Sequence, residues 1–316
     1  MALSTKTIKT RISSVKNTKK ITKAMEMVAA AKMRKAVEAA LSTRMYAELS
    51  LELLKTLSQT QEVESKLLAS RPVRRVLLVL ITSNRGLCGS FNANIFKYSK
   101  NLLQKTKVLG TSKDTETGKE ILSEDFAVDV YGIGKRSALF AKRNNVQLVA
   151  VDEALGDKPP IEAVTALTNE LIQLYTSKKY DKVILAFTHY KSSLLQVVKT
   201  RQLLPVSRID IEKMLSELPD QETDAVAPLP LDTYILEPDE PTIIETILPR
   251  LLDTSLYEAL LESAASEHSA RMVAMKNATE AAGDMINALT LEYNKARQAG
   301  ITKEIAEISG GAAALE

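Results

Sequence analysis

The chain has no tryptophan, one cysteine, two histidines and an aromatic content of 4% over its 316 residues. Each shortage excludes something. Compact cores draw much of their buried area from aromatic rings, so this composition favours long helices rich in Ala, Leu, Ile and Met. Cys88 is alone, which rules out an intramolecular disulfide and the small secreted scaffolds that depend on one. His189 and His268 have no metal-ligand spacing with each other or with Cys88, so no zinc-type site is indicated. Lys or Arg interrupts every apolar stretch before residue 24, against a signal peptide. No apolar run approaches the roughly 18 residues that span a bilayer.

Proline and glycine are missing from the first 71 residues, where Ala, Leu, Lys, Glu and Met abound. Without either breaker, this stretch predicts helix from about Ser4 to Ser58, roughly 80 Å long at ~1.5 Å per residue. Small or apolar residues recur at spacings of three and four (Ile8, Ile12, Val15, Thr22, Met25, Ala29, Met33, Ala36, Ala40), the pattern of a seam that lets a partner helix approach closely. From Thr242 onward, Leu251, Leu261, Ala264, Met275, Ala282, Ile286, Leu289, Tyr293 and Ala296 repeat that spacing. Pro249 is expected to kink the start of this second helix, and Gly310-Gly311 to end it. The two stripes predict an antiparallel pair with Ile12 to Val28 beside Ala278 to Tyr293. The methionines at 25, 27, 33, 272, 275 and 285 are expected to pack in the seam.

The middle has a different texture. Arg75 to Ile81 is a continuous apolar run, as in a strand buried on both faces. Strand patterns follow at Ala127 to Gly132, Val146 to Val151, Lys182 to Phe187 and Leu194 to Leu204. Helical ones lie at Asn92 to Leu109, Lys135 to Arg143 and Ile161 to Ser177. Such alternation predicts βαβ units and a mostly parallel, Rossmann-like sheet. The expected organisation is an N-terminal coiled-coil helix over 1–70, an α/β domain over 71–205, an acidic insertion over 206–240 and a C-terminal coiled-coil helix over 241–316.

Charge is segregated along the chain. Up to Lys35 there are ten Lys or Arg against the single acid Glu26, whereas Ile209 to Glu245 holds eleven Asp or Glu against Lys213. Such blocks imply two different partner surfaces. The basic stretch has no aromatic before Tyr46 and shares its helix with the seam, which counts against nucleic acid, and its charge suits an acidic protein surface equally well.

Nothing offers credible catalysis. Ser83-Asn84-Arg85-Gly86-Leu87-Cys88-Gly89-Ser90 lies between a strand and a helix, where phosphates can bind, yet it lacks the Gly-Lys-Ser/Thr ending of a P-loop. A tight turn is the better reading. Gly132-Ile133-Gly134-Lys135 is a lone G-x-G, which is weak. Cys88 is expected to be a small buried thiol. His189 and His268 are expected to be structural or solvated. No catalytic residue, cofactor or metal is expected. A nucleic-acid-binding scaffold and a Rossmann enzyme with helical arms remain the alternatives.

A family resemblance adds to this. Ile21 to Lys35 (ITKAMEMVAAAKMRK) resembles the N-terminal helix signature of F-type ATP synthase gamma subunits. Ser83 to Asn92 (SNRGLCGSFN) is similar to that family's central glycine motif, and Ser266 to Ala278 and Tyr293 to Ala314 to its C-terminal helix. The resemblance implies a rotor shaft inside a ring of alpha and beta subunits, with a foot on the membrane c ring beside the epsilon subunit. It implies a protein peripheral to the cytoplasmic face of a bacterial plasma membrane, or an equivalent membrane, through its partners. It places Met25 where the N-terminal helix passes beta's moving lever, and Arg297, Gln298 and Thr302 where the C-terminal helix meets a loop of beta, with Lys32 also a subunit-interface residue. The chloroplast form carries a cysteine pair in a regulatory insertion; the acidic segment here has none, which excludes a dithiol switch.

Overall fold

The computed structural model describes residues 5–57, 65–105, 109–113, 120–123, 125–206 and 239–313. The segment over 207–238, which includes nearly all of the acidic insertion, lies outside them. In order, the elements are α1 (Thr5–Leu57), β1 (Arg75–Ile81), α2 (Phe91–Leu103), β2 (Thr111–Lys113), β3 (Glu120–Leu122), β4 (Ala127–Ile133), α3 (Arg136–Asn144), β5 (Gln147–Asp152), α4 (Ile161–Thr176), β6 (Lys182–Tyr190), β7 (Gln196–Leu204) and α5 (Glu240–Ala313). They fall into two compact units: residues 1–31 with 271–316, and residues 32–270.

The larger unit is built on a five-stranded sheet of order β5-β4-β1-β6-β7. β1 pairs in parallel with both β4 and β6, β4 in parallel with β5, and only the edge pair β6–β7 is antiparallel. A strand with neighbours on both sides and helices on both faces has no polar side, which is why Val76 to Leu80 are all fully buried. Alternation along β1 divides the core. Leu77, Val79 and Ile81 pack with Val164, Leu167 and Leu171 of α4 and with Leu248, Leu252 and Leu256 of α5. Val76, Leu78 and Leu80 pack with Ile95 and Leu102 of α2 and Phe140 of α3.

Polar anchors hold the mouth of the sheet. The Asp181 carboxylate accepts from Arg71 Nε at 2.6 Å and from the Arg74 and Arg75 amides at 2.9 and 3.0 Å, tying the entry to β1 onto the entry to β6. The Arg71 guanidinium also donates to the carbonyls of Tyr175 and Tyr180 and lies 4.3 Å from the Tyr175 ring centroid. Burial pushes the Tyr175 hydroxyl up to about 12, with Arg71 opposing.

Three features depart from expectation. α2 ends at Leu103 rather than continuing to Leu109, because the Lys105 amide turns back to the Leu102 carbonyl at 2.9 Å. The short antiparallel pair β2–β3 has no strand signal of useful length in the sequence. α5 runs through Gly310-Gly311 to Ala313. A glycine terminates a helix when it takes the left-handed conformation, and among the described glycines only Gly89 and Gly134 have positive φ; the alanines that follow favour helix.

The smaller unit is an antiparallel helix pair. Along α1, Ile8 and Ala29 are buried and Ile12, Val15, Thr22 and Met25 half-buried, while nearly every residue between them is exposed. On α5, Met275 and Ala282 are buried and Ile286, Leu289, Tyr293 and Ala296 half-buried. The Thr279 hydroxyl donates to that of Thr22 at 2.8 Å, and Lys19 Nζ lies 3.0 Å from where a Cβ on Gly283 would sit. The numbers fall on one helix as they rise on the other, the register expected of the two stripes. Two methionines do not follow. Met27 and Met285 are 58% and 54% exposed; each falls on a flank of its helix rather than on the seam.

Candidate partner interface

The glycine loop after β1 is closed upon itself. Asn92 Oδ1 accepts from the Ser83 amide at 3.2 Å, while Asn92 Nδ2 donates to Ser83 Oγ at 2.7 Å and Cys88 Sγ at 3.2 Å. Ser83 Oγ donates to the Arg85 carbonyl at 2.7 Å. These bonds hold a turn that buries Cys88 and points Leu87, at φ 61°, to solvent, while Asn84 bonds to the Glu153 carbonyl and the Lys135 amide. At the second motif, Gly134 has φ 89°, and a Cβ there would meet the Thr82 carbonyl oxygen at 2.2 Å. This glycine serves close backbone approach.

Both histidines bind carboxylates inside the larger unit. His189 Nδ1 is 2.7 Å from Glu262, and the buried His268 Nε2 is 2.8 Å from Asp157. Asp157 also pairs with Lys32 Nζ at 2.7 Å. The hydrogen bond from His268, with help from Lys32, outweighs burial and holds the Asp157 carboxyl well below the usual range. Sequence reading missed this trio, since its members are more than a hundred residues apart and only folding joins them. Among the described residues no group of three or more His, Cys, Asp or Glu is placed to hold a metal, and no helix is long and apolar enough to cross a membrane.

The residues singled out for partner contact fall in three settings. Met25 is half-buried in the seam of the helix pair. Lys32 is exposed and spends its charge on Asp157. Arg297, Gln298 and Thr302 are exposed on α5, where Thr302 Oγ1 donates back to the Gln298 carbonyl at 3.0 Å.

The helix pair explains that exposure. Thr22 and Thr279 are opposite, and α1 begins at Thr5, 17 residues before Thr22. The same distance beyond Thr279 reaches Ala296, the last half-buried residue of α5. From Arg297 to Gly310 every residue is exposed, including Ile301, Ile305 and Ile308 at 49%, 59% and 73%. Isolated helices of this length are marginal in water, and their apolar residues here share one stripe at spacings of four and three. Among the described residues, this end of α5 has no packing partner inside its unit.

Comparison with known proteins agrees with this architecture. A family model described as ATP synthase matches residues 4–315. The ATP synthase gamma chain of Chloroflexus aurantiacus is 39% identical over 316 residues, covering 99% of both chains. That of Flavobacterium johnsoniae is 41% identical over 313 residues, covering 98% of both. A chain in the cryo-EM structure of the Tetrahymena thermophila mitochondrial ATP synthase central stalk/c-ring is 25% identical with a TM-score of 0.53, covering 82% of this chain and 99% of that one. A chain from the Euglena gracilis mitochondrial enzyme shares the fold at 20% identity and a TM-score of 0.62, over 99% of this chain and 94% of that one. With a paired-helix unit, a mostly parallel sheet and likeness along its whole length, the chain belongs to the ATP synthase gamma chain family.

Proposed function

We propose that the chain is the central rotor shaft of an F-type ATP synthase, turning with the membrane c ring and imposing successive conformations on the beta subunits. ATP chemistry then stays in the beta subunits, and this chain is a non-catalytic member of the complex. Coupling of this kind needs the shaft to make different contacts with the alternative states of its ring, because only a differential interaction shifts a conformational equilibrium. Its partners are the alpha, beta and epsilon subunits and the c ring. Its place is peripheral, on the cytoplasmic face of a bacterial plasma membrane or an equivalent energy-transducing membrane.

The observation that carries the reading is the bare end of α5, exposed from Arg297 to Gly310 with its stripe of isoleucines. A ring of subunits closed around it supplies the burial that the helix lacks alone. Met25, Lys32, Arg297, Gln298 and Thr302 are the interface residues in this reading. Ten cations against one acid up to Lys35 suit an acidic lever on beta. Lys32 reaches such a partner by exchanging Asp157 for it, a swap between half-exposed groups that costs little.

The test is Arg297→Ala in the reassembled complex. Arginine gives forked, charge-assisted hydrogen bonds, and losing one at an interface costs on the order of 1.5–3 kcal/mol. ATP hydrolysis or proton pumping should fall while the helicity of the free chain is unchanged. Lys303→Ala, whose amine already lies 3.6 Å from Glu307 on its own helix, should be milder. Wild-type coupling in the Arg297 variant would refute its assignment.

A further inference from the structure

Within the larger unit, one side of α5 is stitched to the β6–β7 hairpin over 15 residues, from Ser255 to Ser269. Arg201 of β7 donates to Ser255 Oγ at 3.1 Å and to Glu258 Oε2 at 2.9 Å. One turn on, Glu262 Oε2 lies 2.7 Å from His189 of β6. Ser263 Oγ accepts from the Thr188 amide at 3.1 Å, and Ser266 Oγ donates to the Thr188 carbonyl at 3.1 Å. Ser269 Oγ donates to the Ser193 carbonyl at 2.6 Å and accepts from Gln196 Nε2 at 3.4 Å. Ser263, Ser266 and Ser269 are 2%, 0% and 0% exposed.

This is an unusual use of a helix face that packs on a sheet. Around the same turns, Leu256, Ala259, Leu260 and Leu261 are buried as expected. Apolar contact is non-directional, so it holds two elements together without fixing how far one slides or turns on the other. A buried hydrogen bond does fix this, because a displaced donor leaves an unsatisfied polar group out of reach of water. The serines occupy a particular place. β1 pairs with β6 only as far as Leu80 opposite Ala186, and two residues later Thr188 has its amide and carbonyl bound by Ser263 and Ser266. The helix hydroxyls take up strand groups beyond the last β1 pairing. A shift of α5 by one residue would break these bonds together.

We infer that this ladder is the joint through which torsional load passes between the sheet and α5, with Ser263, Ser266 and Glu262 as positioning residues that lock the register. The inference rests on the shaft reading and adds to it where the load crosses. Among the described residues, α1 meets the same unit through Ala36 beside Ala264 and Ala265, through the Tyr190 hydroxyl donating to Met33 Sδ at 3.8 Å, and through the half-exposed Lys32–Asp157 pair.

The experiment uses the complete membrane complex reassembled with Ser263→Ala/Ser266→Ala, measuring protons pumped per ATP hydrolysed beside the rate of hydrolysis. The angular fluctuation of a probe on the rotor gives torsional stiffness. The double variant should keep most of its hydrolysis, lose at least about half of its pumping per ATP, and show broader fluctuation. A purely structural role would lower the melting temperature of the free chain and leave the ratio and the stiffness unchanged; that result in a folded variant overturns the inference. Should the double variant not fold, Glu262→Ala carries the same two outcomes, with Glu262→Gln, which retains a hydrogen bond to His189, expected to restore coupling. Failure of the wild-type chain itself to restore coupling to a complex lacking it would instead refute the shaft reading.

Discussion

Replacing Asp181 by alanine removes one carboxylate and leaves three donors without it. The side chains of Asp181 and Arg71 are 11% and 23% exposed, so water reaches the site only partly. Breaking a buried ion pair by deleting one partner costs about 3–5 kcal/mol. The lower end applies here, because Arg71 keeps its bonds to the Tyr175 and Tyr180 carbonyls and its place over the Tyr175 ring. A loss of about 3 kcal/mol corresponds to a melting temperature lower by about 6–12 °C for a domain of this size. Asp181→Asn keeps an acceptor for the Arg74 and Arg75 amides but sets an amide NH2 against the Arg71 Nε donor, so it should recover only part of that loss. The pH dependence has a definite sign. Burial raises the Asp181 carboxyl, but the Arg74 amide, the Arg71 guanidinium and the Arg75 amide outweigh it and hold it below its ordinary value. Its contribution is therefore present above about pH 4 and is lost as the pH falls through the lowered folded value. Urea and thermal melts of the free chain at neutral and acidic pH measure both effects. An alanine variant within about 0.5 kcal/mol of wild type at neutral pH, where a contact-free surface change would place it, refutes the reasoning.

Other outcomes follow from single features of the structure. Asp157→Asn should lower the melting temperature at neutral pH, and the gap from wild type should close below about pH 4, because His268 and Lys32 hold that carboxyl low; a gap independent of pH would show that the trio contributes nothing electrostatic. Gly300→Ala meets nothing within 4 Å and should raise the helicity of the free chain, a gain of about 1 kcal/mol; unchanged circular dichroism would show that this end of α5 is not helical in solution. Gly283→Ala should gain nearly as much, since only the flexible Lys19 amine, 3.0 Å away, has to shift. The purified chain should not bind ATP in the micromolar range, because the loop over Ser83 to Ser90 lacks the Gly-Lys-Ser/Thr ending of a P-loop; saturable, stoichiometric binding by calorimetry would overturn this.

Local pattern in the sequence determined the two long helices, the central strands and the helix-pair register. A run without proline or glycine, a stripe at spacings of three and four, and an apolar strand buried on both faces are each one-dimensional signals whose physical cause is local. The proposal that Arg297, Gln298 and Thr302 face a partner comes from resemblance, because an exposed face reads the same in sequence whether water or a subunit covers it. What the structure adds is that residues 297–310 are exposed among the described residues, which seam spacing could not show. Gly310-Gly311 misled for a related reason, since glycine permits a left-handed terminus without requiring one. Tertiary structure alone decided the polar joints. Asp181 with Arg71, Asp157 with Lys32 and His268, and Ser266 with Thr188 join residues 78 to 125 positions apart or unite three separate elements. A charge or a hydroxyl carries no mark of its future partner, because that pairing depends on the geometry that burial of the apolar pattern creates.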